Sequence, residues 1–294
     1  MERLSFYLII AILWPLSRIP LWILYGIATP LAFLLDRVIG YRKKVIEGNL
    51  KRSFPEKSDK EIERIMHLNY RYLADLVVEA IHSFGMSESE IRRRFRVDNV
   101  PMMKDMMDQG KDVILILGHY NNWEWADLIA GLVLPQKTIV IYKPLKNRYF
   151  NAYLQRVRAK FGVELLPIRE TGNHFRDPDK PLAAYCFVSD QSPSNPRRAY
   201  WTTFLNQETA VLYGAERYAR MADAAIVFVD IQRPKRGYYH ATLNLKSTEP
   251  SSYPENGITD QHVSLLEEQI KEKPEFWLWS HKRWKHKKPE SIKN

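Results

Sequence analysis

Cysteine is almost missing: the 294-residue chain has one, Cys186, so an intrachain disulfide is excluded. Cys186 lies inside Leu182-Ala183-Ala184-Tyr185-Cys186-Phe187-Val188, where it is expected to pack as a small apolar residue. No cysteine and histidine spacing of the zinc type occurs, and there is no glycine-rich phosphate loop, internal repeat or low-complexity tract. An unbroken apolar span of roughly 20 residues is also lacking. Pro15, Arg18 and Pro20 divide the apolar N-terminus into Leu4 to Trp14 and Ile19 to Leu35. A tilted, kinked span and an interfacial helical hairpin both fit that pattern, as does a buried pair of core helices. A cleaved signal peptide fits less well, because the region is too long and has no clear small-residue cleavage site. Acid is the minority charge, 34 Asp and Glu against 44 Lys and Arg, for a net charge of +10.

What is present suits a membrane-associated enzyme. Hydrophobic residues make up 45% of the chain, enough for one sizeable core. We read residues 1–36 as an anchor and 37–294 as one catalytic domain. Arg37, Arg42, Lys43, Lys44, Lys51 and Arg52 follow the apolar region directly. Positive flanks stay on the cytoplasmic side, so the catalytic body should face the cytoplasm. A basic surface attracts anionic lipid, a phosphorylated lipid or an acidic carrier protein. It would also attract nucleic acid, but the basic residues are scattered and no DNA-binding signature accompanies them.

Ser58 to Phe84 reads as a helix with Ser58 or Asp59 as its cap, packed as a lid or flank. Strand-like runs follow at Val113 to Leu117, Thr138 to Tyr142, Leu182 to Ser189, Ala225 to Gln232 and Tyr239 to Leu245. Helical patterns near Trp123 to Leu132, Asn147 to Phe161 and Glu208 to Ala222 are interleaved with them, and a last helix is expected over Asp260 to Lys271. That alternation predicts an α/β fold, a mixed sheet flanked by helices, behind the N-terminal helical segment.

The most informative run is Val113-Ile114-Leu115-Ile116-Leu117-Gly118-His119-Tyr120-Asn121-Asn122-Trp123-Glu124. Residues five apart on one helix point roughly 140° away from each other, so His119 must precede the helix if it is to meet Glu124. Gly118 permits a sharp exit from the strand, Asn121 or Asn122 can cap the helix, and Glu124 falls in its first turn. An imidazole backed by a carboxylate is a general base for a hydroxyl. A helix N-terminus beside it favours an oxyanion. An ordinary loop histidine and a dipole-favouring glutamate would have the same spacing.

His-(four residues)-Glu, in the wording His119-Tyr-Asn-Asn-Trp-Glu124, resembles the signature of the lysophospholipid acyltransferase superfamily, and within it the late acyltransferases of lipid A biosynthesis. Asn49-Leu50-Lys51-Arg52-Ser53-Phe54-Pro55, Asp190-Gln191 and Pro274-Glu275-Phe276-Trp277-Leu278-Trp279-Ser280-His281-Lys282-Arg283-Trp284-Lys285 fit the same branch in the same order. The Tyr120-Asn121-Asn122 wording departs from the most familiar members and leaves the acceptor open. The resemblance implies a bacterial inner-membrane enzyme that moves an acyl group from a thioester, on acyl carrier protein or another donor, to a hydroxyl of a lipid A precursor. It implies no metal and no cofactor beyond the thioester co-substrate.

Under that reading His119 removes the hydroxyl proton and Glu124 holds and charge-balances it. A helix-terminal amide, with Asn122 beside it, or an arginine meets the oxyanion or a substrate phosphate. Arg158 and Arg169 are both candidates. Asp190 and Gln191 end a strand near the cleft, where they would position a loop or a substrate hydroxyl, although turn chemistry also explains them. Trp277, Trp279 and Trp284, set among basic residues, suit either a membrane interface or the core. Two other functions stay open: acyl transfer to another membrane lipid, such as an aminolipid or a glycosylated phospholipid, and non-catalytic binding of anionic lipid.

Overall fold

The computed structural model describes residues 2–290. It begins with five helices: α1 (Glu2–Leu16), α2 (Leu21–Phe33), α3 (Lys43–Ser53), α4 (Asp59–Ser83) and α5 (Glu88–Arg94), with a π-helical turn at Leu34–Val38 after α2. Next come β1 (Phe95–Asp98), α6 (Val100–Asp108), β2 (Val113–Leu117), α7 (Trp123–Val133), β3 (Lys137–Tyr142), α8 (Arg148–Ala159), β4 (Glu164–Pro167) and the single turn α9 (Thr171–His174). The rest comprises β5 (Ala183–Val188), β6 (Tyr200–Phe204), β7 (Gln207–Val211), α10 (Gly214–Met221), β8 (Ala225–Lys235), β9 (Tyr238–Ser247) and α11 (Gly257–Glu272).

Seven strands form one sheet in the order β1-β9-β8-β2-β5-β3-β4. The strands from β8 to β4 are parallel, whereas β9 runs antiparallel to β8 and β1 parallel to β9. β2 is apolar throughout because both of its faces are covered. Val113, Leu115 and Leu117 join the core cluster that includes α2, α4 and α7, while Ile114 and Ile116 join the opposite one with α10. The mixed sheet between helices expected from the sequence is therefore present. β6 and β7 form a separate hairpin.

One expectation needs correcting and another is narrowed. Glu208 to Ala222 is not one helix, because Leu205 and Asn206 both take left-handed backbone angles and turn the chain into β7, leaving α10 to begin at Gly214. Of the two roles expected for α4, lid or flank, the structure shows the flank: Ser58 forms a capping box with Glu61, and one side of the helix is buried from Ile62 to Ser83.

Helix α4 is held by a buried carboxylate. Glu79 accepts hydrogen bonds from Tyr25 Oη of α2 (2.5 Å), Asn122 Nδ2 (2.7 Å) and Tyr239 Oη of β9 (2.6 Å), and its carbonyl accepts one from Trp125 Nε1. The adjacent Asp75 pairs with Arg233 and Arg236 at the end of β8 and the turn beyond it. Burial raises the Glu79 pKa, offset in part by Arg233 and by the two tyrosine hydroxyls.

Two asparagines fix the C-terminal segment. Asn49 donates to the carbonyls of Trp279 and His281, and Asn69 to those of Glu275 and Trp277. Trp277 and Trp279 are buried in a cluster with Ile46, Leu50 and Phe54, so these two complete the core and do not face a membrane interface. Most large apolar side chains that are exposed among the described residues lie instead between Leu4 and Tyr41. One side of α2, at Leu21, Leu24, Ala28 and Ala32, is buried, while Trp22, Ile23 and Ile27 point outward. Leu21–Val38 is long and apolar enough to cross a membrane.

Replacing Glu79 by Ala would strand three buried donors and should destabilise the fold by about 3–5 kcal/mol, with Glu79→Gln less damaging. Denaturant unfolding of the three proteins reads the difference, and equal stabilities would show that Glu79 is not a hub.

Candidate active site

β2 and β5 are parallel neighbours paired from Val113↔Ala184 to Leu117↔Val188, so their C-terminal ends emerge side by side. The Ser189 amide continues the pairing onto the Leu117 carbonyl. Past Gly118 and Ser189, the two chains reach His119 and Asp190. Asp190 Oδ1 lies 2.5 Å from His119 Nδ1, and Asp190 Oδ2 accepts from the His119 amide (2.9 Å) and from Trp277 Nε1 (2.7 Å). Space at Gly118 is tight, and a side chain there would make Leu266 shift. A Cβ at that position would lie 2.7 Å from Leu266 and 3.4 Å from the Asp190 carboxylate.

Three donors converge on a carboxylate whose side chain is only 2% exposed. Burial alone would push Asp190 up, but the charge of His119 and the hydrogen bonds from His119 and Trp277 outweigh it and hold the carboxyl well below its ordinary range. Asp190 therefore stays ionised and is placed to accept from Nδ1, which turns Nε2 toward the cleft. The amide of Gln191 lies 3.0 Å from Nε2, where an incoming hydroxyl would have to be. The His119 ring is 16% exposed and packs edge to face on Trp123 at 4.8 Å.

The spacing His119 to Glu124 suggests that these two side chains pair; the structure separates them. Asn122 caps α7 by accepting from the Trp125 amide (2.9 Å), which confirms one of the two candidate caps. Asn121 takes a left-handed φ of 56° and donates to the Ile231 carbonyl instead. Glu124 then sits in the first turn, as expected, but binds Arg158 of α8 through two parallel contacts, Nε to Oε2 at 3.0 Å and Nη2 to Oε1 at 2.5 Å. Burial opposes the Arg158 charge, and Glu124 and Asp127 more than compensate, so its pKa is raised. The carboxylate that orients His119 is thus Asp190, which sequence spacing could not reveal because the pairing depends on β5 lying next to β2.

Arg169 does not reach the site. It follows β4, the edge strand, and its side chain is 77% exposed and paired only with Glu170 at 3.2 Å. Its neighbours Ile168 and Thr171 face the cleft instead. That cleft, about 410 Å³, runs from His119, Glu124 and Arg158 past the end of β3 to Ser192, Leu212 and Tyr218. Two residues of the site were not identified from the sequence. Trp277 lies 87 positions from Asp190, and its tryptophan-rich surroundings hinted only at packing. Asp127 lies one turn after Glu124 on the same face of α7, a spacing that could have drawn notice. No group of three or more His, Cys, Asp or Glu side chains that could hold a metal occurs among the described residues.

An aspartate held ionised, an imidazole beside a cleft and a paired glutamate and arginine thus come together at the ends of β2 and β5 and the start of α7. The sequence comparisons give the chain its family. The model for bacterial lipid A biosynthesis acyltransferases matches residues 1–286, and the chain belongs to that family. It is 24% identical over 278 residues to a lipid A biosynthesis palmitoleoyltransferase of Escherichia coli K12, covering 94% of this chain and 89% of that one. A lauroyltransferase of lipid A biosynthesis from the same organism is 22% identical over 285 residues, 96% of this chain and 92% of that one. A lipid A biosynthesis acyltransferase of Haemophilus influenzae is 20% identical over 291 residues, 98% and 92% of the two chains. The protein is accordingly an acyltransferase of lipid A synthesis, membrane-associated like its family, with a lipid acceptor and an acyl donor.

Burial, with a contribution from Glu124, pushes the Asp127 carboxyl up to about 7 from an ordinary 3.8, against the opposing charge of Arg158. The folded state therefore holds a proton there that the unfolded chain releases, and stability falls as pH rises through this window. Asp127→Asn should raise the melting temperature more at pH 8 than at pH 5. A gain independent of pH in thermal scans would contradict this.

Proposed function

We propose that this acyltransferase passes a fatty acyl group from a carrier-protein thioester to a hydroxyl of a lipid A precursor by general-base catalysis centred on His119. The observation carrying the proposal is the Asp190 contact with His119 Nδ1, which leaves Nε2 as a base facing the cleft. The acceptor hydroxyl displaces Gln191 from Nε2 and gives its proton to that nitrogen while its oxygen attacks the thioester carbonyl. Asp190 stabilises the imidazolium that forms. The tetrahedral intermediate then collapses, the C–S bond breaks, and the imidazolium returns its proton to the departing thiolate.

The oxyanion needs donors placed beforehand. Asn122 caps the Trp125 amide, and the amides of Trp123 and Glu124 at the positive end of α7 make no hydrogen bond among the described residues. Together with the Arg158 guanidinium they are the donors we assign to it. Glu124 holds Arg158 in a fixed orientation and acts as a positioning residue, in place of the imidazole-orienting role its spacing suggests. The proposal keeps the catalytic face on the cytoplasmic side, supported by the basic residues from Arg37 to Arg52 that follow the apolar segment.

Transfer of labelled acyl groups from acyl carrier protein to a purified lipid A precursor in micelles tests the reading. His119→Ala and Asp190→Asn should each lower kcat on the order of 10²–10⁴ while remaining folded. Wild-type transfer only to a different hydroxylated lipid would preserve the chemistry and reject the acceptor. Glu124→Ala and Arg158→Ala should be non-additive when combined, with a coupling of about 0.5–3 kcal/mol in kcat/KM, because each removes the same ion pair. Simple additivity would mean that the two side chains act separately.

A further inference from the structure

A second cleft meets the first at Trp123 and Glu124. It has a volume of about 390 Å³ and its walls are mostly apolar. One end is formed by Leu35 and Tyr41, the groove follows Val77 and Ala80 of α4, and the other end is Trp123 with Glu124. Hydrogen bonds fix this direction: Tyr70, near the middle of α4, donates to the Tyr41 carbonyl, whereas Asn122 binds Glu79, a turn from the helix end. The Tyr41 end adjoins Leu34, Val38 and Ile39, large apolar side chains that are exposed to the outside. The groove thus joins the apolar surface of the anchor region to the wall of the reaction centre.

We infer that this groove admits a hydrocarbon chain of the membrane-borne acceptor and delivers its hydroxyl past Trp123 to His119, while the donor thioester occupies the larger cleft. This rests on the acyl-transfer reading above. The occupant follows from the lining. A carrier protein would need a charged rim, but among the described residues Glu124 is the one charged group lining this groove, and Arg158 already neutralises it. A lipid chain entering beside Leu35 and Tyr41 stays in apolar surroundings until it reaches that ion pair. The larger cleft, by contrast, has Lys143, Ser192 and Ser194 among its walls and suits the polar arm of a soluble donor. Each cleft then holds one substrate, and the two reacting atoms meet where Trp123 separates them.

Ala80→Trp fills the groove next to its inner end. Steady-state transfer by this variant should show an acceptor KM raised about tenfold or more for a long-chain lipid, with donor KM within about twofold of wild type. With an acceptor whose chains are truncated, the two proteins should differ by less than about threefold. An unchanged acceptor KM would overturn the inference, and so would a rise confined to donor KM, which would place the donor in the groove. If Ala80→Trp fails to fold, Val77→Asp, at a half-exposed position, is read in the same way. Vesicles of phosphatidylglycerol containing a long-chain diazirine lipid provide a readout independent of turnover. The probe should label the Leu73–Ala80 peptide in wild type and lose that label in the variant. Labelling without any transfer would keep the groove and sink the acyl-transfer reading, whereas transfer without labelling would do the reverse.

Discussion

The desolvated carboxylate of Glu79 ties together parts of the chain that share no local sequence. It is fully buried and surrounded by Tyr25, Asn122 and Tyr239, with Arg233 3.9 Å away. An ion in such a place is tolerated only where its lone pairs are filled, so its partners are held as firmly as it is. One of them, Asn122, also caps α7. The start of that helix, and with it the direction of Glu124, is therefore set from α4, more than forty residues earlier in the chain. The turn from His119 to Glu124 thus takes part of its geometry from a polar contact with α4.

Around that turn two carboxylate pairs divide the work that spacing alone assigns to one. Asp190 serves the imidazole and Glu124 serves the guanidinium. In the proposed reaction the separation is useful. A single anion beside both the base and the reacting carbonyl would oppose the developing oxyanion, whereas a glutamate neutralised by Arg158 does not. The cost falls on a neighbour, Asp127, whose carboxyl burial pushes up further than the nearby Arg158 charge brings it down.

Much of this was legible from residue order. The capping box at Ser58, the continuous apolar run of β2 and the Asn cap before Trp123 are local features, and local features survive in sequence. The His119–Asp190 pair was not legible, although both residues were singled out, because it depends on which strand lies beside β2. That choice is made by packing and leaves no periodic trace. The same holds for Arg169, where the end of a strand looked functional until β4 proved to be the sheet edge. The Trp277 contact arises from the Asn69 clamp on the C-terminal segment, a long-range bond with no signature in spacing.

Helix α2 has one side in the core against α4 and the other facing outward. Because Glu79 of α4 accepts from Tyr25 of α2 and from Asn122 beside His119, α2 is linked through α4 to the turn that carries His119. In a membrane-associated enzyme whose α2 rests its outward side in lipid, this link would tie the height of His119 to the depth of that helix. A hydroxyl would be chosen first by how far below the lipid surface it lies, before any contact recognises the molecule that bears it.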